Sequence, residues 1–126
     1  MRLLLDTHAL IWALEAPERL PPRIQNLLHQ PRVAVFVSPV STWEIAIKVA
    51  LRRLTAPLAE MPRALADAAF LELPVSISQT HELAQLPPLH RDPFDRLLIA
   101  QARTEGLTLV TRDRVIRRYP IATLWD

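Results

Sequence analysis

The sequence predicts a three-layer α/β/α fold with a mainly parallel central sheet, built as one domain over residues 1–126. Three observations predict it. Short apolar runs at residues 3–5, 33–37 and 107–111 read as strands, the first of them a run of leucines with the pattern of a strand buried on both faces. Stretches with helical spacing of apolar residues separate these runs, and strands that alternate with helices form parallel sheets. At 126 residues the chain can bury a real core but is too short for two domains.

Taken in order, residues 3–5 give the first strand, and residues 7–15 follow with Ala9, Leu10, Trp12, Ala13 and Leu14 apolar at helical spacing, until Pro17 ends the helix. Pro21 and Pro22 open a second helix through Ile24, Leu27 and Leu28, which stops before Pro31. The β-branched content of residues 33–37 marks the next strand. A helix is expected from Ser41 to about Arg53. Its apolar residues, Trp43, Ile45, Ile47, Val49 and Leu51 among them, cover most of the circumference and predict burial on more than one side. Residues 61–71 read as an alanine-rich helix, and residues 73–77 as an edge strand, because Pro74 cannot donate to a ladder. Residues 78–86 are expected to be a short helix ended by Pro87 and Pro88. Asp92 then stands as an N-cap with Pro93 at the first helical position, and the apolar stretch from Leu97 to Ala102 runs to Gly106, the chain's single glycine, at the place of a C-cap. A strand at 107–111, a turn of helix and a last strand at 121–125 complete the domain.

Composition removes several classes of function. Half the residues are hydrophobic, but no run approaches the roughly 20 residues of a membrane span, and residues 3–5 lead straight into an acid rather than a signal-peptide core. The expectation is a soluble, cytoplasmic protein without membrane contact. The lack of cysteine excludes disulfides and thiolate metal sites. No Ser or Cys nucleophile motif and no glycine-rich phosphate loop is present. The net charge of +2 leans only slightly toward nucleic acid, although Arg103, Arg112, Arg114, Arg117 and Arg118 gather near the carboxyl end. A guanidinium is a forked donor for phosphate, while an arginine-rich composition would give the same residues for no chemical reason.

The chemistry lies in the acids. Asp6 closes the first strand, Glu44 follows the second, Asp95 opens the helix after Pro93, and Asp113 follows the strand at 107–111. Neighbouring parallel strands share a carboxyl edge, where open α/β sheets place their sites. Carboxylates without cysteine suit hard, oxygen-seeking cations such as Mg²⁺ or Mn²⁺, whose chemistry is usually at phosphates. Each acid also has a plain structural explanation. Asp6, Asp92 and Asp113 can cap helices, Asp95 can favour the positive end of a helix dipole, and Glu44 stands three residues after Ser41 as a capping box requires. His8 and His90 flank the acidic segments, but each stands alone in sequence and is expected in ordinary packing or solvent.

Four segments carry a resemblance: Leu-Leu-Leu-Asp-Thr-His-Ala-Leu-Ile-Trp from Leu3, Ser-Pro-Val-Ser-Thr-Trp-Glu-Ile-Ala-Ile-Lys from Ser38, Arg-Asp-Pro-Phe-Asp-Arg-Leu-Leu-Ile-Ala-Gln-Ala from Arg91, and Leu-Val-Thr-Arg-Asp from Leu109. In this order and spacing they resemble the successive motifs of PIN-domain proteins, especially the VapC toxins of bacterial toxin–antitoxin pairs. The resemblance implies that Asp6, Glu44, Asp95 and Asp113 hold one or two Mg²⁺ or Mn²⁺ ions, with Thr111 and Thr7 in support and Asp92 as a cap beside them. It implies an endoribonuclease cutting structured RNA such as tRNA or rRNA, a small antitoxin partner and a homodimer. Arg112, Arg114, Arg117 and Arg118 are expected to hold the RNA. The competing readings are a non-catalytic RNA-binding or scaffold module of the same fold, and a structure-specific DNA nuclease.

Overall fold

The computed structural model describes all 126 residues. Five strands, β1 (Arg2–Leu5), β2 (Ala34–Val37), β3 (Leu71–Glu72), β4 (Thr108–Val110) and β5 (Thr123–Leu124), form one sheet in the order β3-β2-β1-β4-β5. Every pairing is parallel. The helices are α1 (Thr7–Glu15), α2 (Pro22–Leu28), α3 (Pro39–Ala50), α4 (Met61–Asp67), α5 (Ile77–Glu82) and α6 (Pro93–Glu105). No helix is long and apolar enough to cross a membrane.

Alternation along β1 divides the core between the two sheet faces. Leu3 and Leu5 pack with Ala9, Leu10, Ile24, Val35 and Ile45, whereas Leu4 packs with Leu98, Ile99, Ala102, Leu109 and Ile116. All three leucines are fully buried, as a central strand of a three-layer fold demands.

Three expectations shift once the chain is folded. Helix α3 starts at Pro39 rather than Ser41, because Pro39 needs no N–H at the first position and Ser38 caps it by accepting the Val40 N–H at 3.0 Å. It ends at Ala50, before Arg52 turns to φ 57°. The burial predicted for Trp43 and Leu51 on its further sides does not hold either: Ile45 is buried, but Trp43 is 59% exposed and Leu51 58% exposed. Helix α4 stops at Asp67, the backbone reverses at Ala69 with φ 58°, and the edge strand therefore arrives at Leu71–Glu72, two residues early. The Leu73 N–H still bonds Val37 O at 2.8 Å, and Pro74, which has no N–H, ends the pairing.

Helix α6 matches its reading closely. Asp92 accepts N–H bonds from Phe94 and Asp95 at 2.8 and 3.1 Å, and Gly106 takes the left-handed φ of 66° at the far end. Fully buried Gln101 fastens the helix to α5 by donating to Gln79 Oε1 at 3.1 Å. A Cβ at position 106 would meet no atom within 4 Å, so only the backbone conformation resists a side chain there. Gly106→Ala is therefore expected to cost about 1 kcal/mol and lower Tm by a few degrees in a thermal melt; an unchanged Tm would show that the αL cap is not required.

Candidate metal centre

The paired ends of β1 and β4 begin the site. Leu5 stands opposite Val110, and the Asp6 N–H continues the ladder to Val110 O at 3.1 Å, so Asp6 and Thr111 leave the sheet side by side. Glu44 comes in from the second turn of α3 after β2, and Asp95 from the first turn of α6. All four predicted acids line one pocket of about 420 Å³, together with Thr7, Asp92, His90, Lys48 and Arg112. No hydrophobic residue lines it.

Capping and convergence turn out to be compatible, because a carboxylate has two oxygens. Asp6 Oδ1 accepts the Ala9 N–H at 2.8 Å and caps α1. Asp113 Oδ1 accepts the Val115 and Ile116 N–H groups at 2.8 and 3.1 Å, which leaves Oδ2 for the pocket. Thr111, fully buried, bonds the Asp6 carboxyl and accepts the Asp113 N–H at 3.1 Å. Glu44 is no capping-box partner of Ser41. Its Oε1 accepts the Thr7 hydroxyl at 2.7 Å and its Oε2 pairs with Lys48 at 2.9 Å, while Ser41 lies inside the helix, 3.1 Å from Thr7. Thr7 thus meets Glu44, and Thr111 stands between Asp6 and the Asp113 backbone.

His90 is the residue the sequence reading passed over. Its Nε2 lies 3.0 Å from Asp113 Oδ2 and 3.3 Å from Asp95 Oδ2. The Asp92 backbone N–H points at Nδ1 from 3.1 Å, so Nδ1 is the acceptor and Nε2 carries the hydrogen directed at the carboxylates. The loop behind it is fixed by Tyr119, whose hydroxyl accepts the Leu89 and His90 N–H groups at 3.1 and 2.8 Å. Tyr119 stands 29 residues from His90, and no local signal joins them. Of the arginines expected to hold RNA, Arg112 lines the pocket; Arg114, Arg117 and Arg118 are exposed outside it.

The charges show the strain of this gathering. Burial, followed by the neighbouring Asp92, Glu44 and Asp6 carboxylates, pushes the Asp95 carboxyl up to about 7, against a smaller opposing pull from His90. Burial raises Asp6 as well. Asp113 behaves oppositely: burial would raise it, but the hydrogen bonds from His90, Ile116 and Val115 outweigh that and hold it below the usual carboxylate range. Carboxylates from four elements, their mutual repulsion and a lining without hydrophobic residues fit a divalent cation, and the ligand atoms of His90, Asp95 and Asp113 lie within 4.8 Å of one another.

The family model of the PIN domain matches residues 3–122. The chain belongs to the PIN domain family. PIN domains are generally nucleases, and the acidic cluster is in place. The fold is also that of toxin–antitoxin structures: VapBC2 from Rickettsia felis bound to a DNA fragment from the promoter, with 18% identity over 100% of both chains and a TM-score of 0.75, and FitAcB from Neisseria gonorrhoeae, with 22% identity over 97% of this chain and 96% of that one and a TM-score of 0.67. DNA-bound VapBC from Salmonella typhimurium follows at 19% identity, 98% and 97% coverage and a TM-score of 0.68. Comparison with curated protein sequences gives no match.

The raised Asp6 and Asp95 carboxyls set the pH response of the metal-free PIN domain. Between about pH 4 and 7 the folded state holds a proton on Asp95 that the unfolded state has released, so stability rises as pH falls through that window. In EDTA, Tm is expected to increase from pH 7.5 toward pH 5, and Asp95→Asn is expected to flatten the rise. A Tm that falls over this range in wild type would contradict the burial and repulsion assigned to Asp95.

Proposed function

We propose that this PIN domain is a metal-dependent endoribonuclease and the toxin of a toxin–antitoxin pair, acting in the cytoplasm. The observation that carries the enzymatic reading is the meeting of Asp6, Glu44, Asp95 and Asp113, from four elements, in one pocket without a hydrophobic wall. In this reading the four acids hold one or two Mg²⁺ or Mn²⁺ ions. Such an ion supplies a water of lowered pKa and offsets charge at the phosphate.

The chain's own residues keep that site in shape. Thr7 and Lys48 occupy the two Glu44 oxygens, so its side chain cannot turn away, and Thr111 ties Asp6 to the Asp113 backbone. His90 directs an N–H at Asp113 Oδ2 and holds it toward Asp95. Arg112 is the pocket cation left to meet a phosphate, because Lys48 is already engaged with Glu44. Arg114, Arg117 and Arg118 are proposed to touch flanking RNA outside the pocket. Water would attack phosphorus in line, forming one P–O bond as the opposite P–O bond breaks, with the water's proton ending on the departing oxygen. A recessed site of this kind favours a single strand or loop of a structured RNA such as tRNA or rRNA.

The toxin part of the reading rests on likeness to the VapBC and FitAB folds and on apolar surface left open. Trp43 is exposed on α3 while standing 5.0 Å from the Phe94 ring of α6, and Ile11, Leu14, Met61 and Ala64 line an apolar groove between α1 and α4. An antitoxin segment and a second copy of the chain are proposed to cover these surfaces.

The test is RNA cleavage with Mn²⁺ and with EDTA. EDTA is expected to abolish it. Asp6→Asn and Asp95→Asn should each lose more than the roughly 10–100-fold that follows loss of a ligand's hydrogen-bond partner, a range expected for His90→Leu. Asp92→Asn should keep most activity, since Asn caps a helix about as well as Asp. Wild-type cleavage by both Asp6→Asn and Asp95→Asn, or cleavage of DNA flaps in preference to RNA hairpins, would sink the assignment.

A further inference from the structure

One buried indole beside the acidic pocket carries two arginines from distant parts of the chain. Trp12, on the last turns of α1, is only 8% exposed. The Arg112 guanidinium lies over its ring at 4.7 Å and the Arg19 guanidinium at 4.6 Å. His8 meets the same ring edge-on at 5.9 Å, and Trp125 backs it at 5.9 Å.

Neither arginine has an acidic partner within ion-pair distance, unlike Arg103 with Glu82 or Arg63 with Asp67. Two like charges brought to one ring repel each other, and stacking on an indole only partly offsets this. A polyanion that meets both would offset that repulsion. Arg112 also lines the acidic pocket, so the two cations continue from its wall outward along α1 to the turn at Pro17–Arg19.

We propose that Arg112 and Arg19, held on the Trp12 ring, form a clamp for the RNA backbone that grips the phosphates next to the one being cut. The proposal rests on the ribonuclease reading and adds the path of the strand, which leaves the pocket over α1. The pocket needs such a clamp, because its carboxylates repel a polyanion and its other strong cation, Lys48, is spent on Glu44. Arginine suits the role, since its fork can face a phosphate while its plane stays on the ring. Trp12 acts as a positioning residue: it sets where the guanidiniums lie and need not touch RNA.

The test measures binding of a fluorescein-labelled, single-stranded RNA dodecamer in EDTA across a salt series, with cleavage in Mn²⁺ measured alongside. Both arginines are exposed, so Arg19→Gln with Arg112→Gln should fold normally, weaken binding and flatten the salt slope by about 1.4, roughly 0.7 for each lost phosphate contact. Arg23→Gln with Arg32→Gln removes the same charge away from the site and should change the slope far less. Trp12→Leu should approach the Arg19/Arg112 pair in its loss, and Trp12→Phe should recover much of it. Equal effects from the two arginine pairs would reduce the clamp to net charge and overturn it. Unchanged binding by the Arg19/Arg112 pair, with cleavage intact in Mn²⁺, would overturn the clamp and leave the nuclease reading standing.

Discussion

Repulsion among carboxylates at the carboxyl edge of β1 and β4 is the constraint to which the rest of the structure answers. The parallel register of Leu5 with Val110 places Asp6 beside Thr111 and Asp113, and α3 and α6 then bring Glu44 and Asp95 over the same edge. In a single chain without a cation, such a gathering is unfavourable: at an effective dielectric near 20, like charges about 4 Å apart repel by on the order of 4 kcal/mol. The fold eases this in several ways at once. Lys48 neutralises Glu44, His90 donates toward Asp95 and Asp113, and Asp95 is pushed up to about 7, where it is partly protonated.

The same constraint explains why so many polar groups behind the pocket are buried and satisfied. Asp6, Asp92 and Asp113 each give one oxygen to the start of a helix or turn, which fixes the carboxylate against rotation. Thr7, Thr111 and Tyr119 hold the acids or their loops from beneath. A capping bond is thus part of the site's rigidity rather than an alternative to it, and pre-organisation of this kind keeps charge where a phosphate must meet it. Trp12 does the same for the cationic side of the pocket, with Arg112 on its ring.

Where the sequence was read correctly, the deciding signals were local. Asp92, Pro93 and Gly106 delimit α6 because capping and αL geometry depend on a few adjacent residues. Misreadings arose where two local signals competed or burial was at issue. Ser41 with Glu44 has the spacing of a capping box, yet Ser38 caps α3 and Pro39 takes its first position. Trp43 and Leu51 looked like core, yet α3 has neighbours on too few sides to cover them, so both remain exposed.

The sequence by itself determined the alternation of strands and helices, the burial of the leucine strand, the family motifs and the identity of the four acids, because periodicity, caps and motif spacing are written in neighbouring residues. Only the tertiary structure decided that the acids meet, that each capping Asp keeps an oxygen for the pocket, that His90 joins Asp95 and Asp113, and that Arg112 rather than Arg117 or Arg118 stands at the wall. The reason is physical. These relations join residues far apart in the chain through sheet register and helix packing, and a side chain's partners are fixed only when those distant elements are in place.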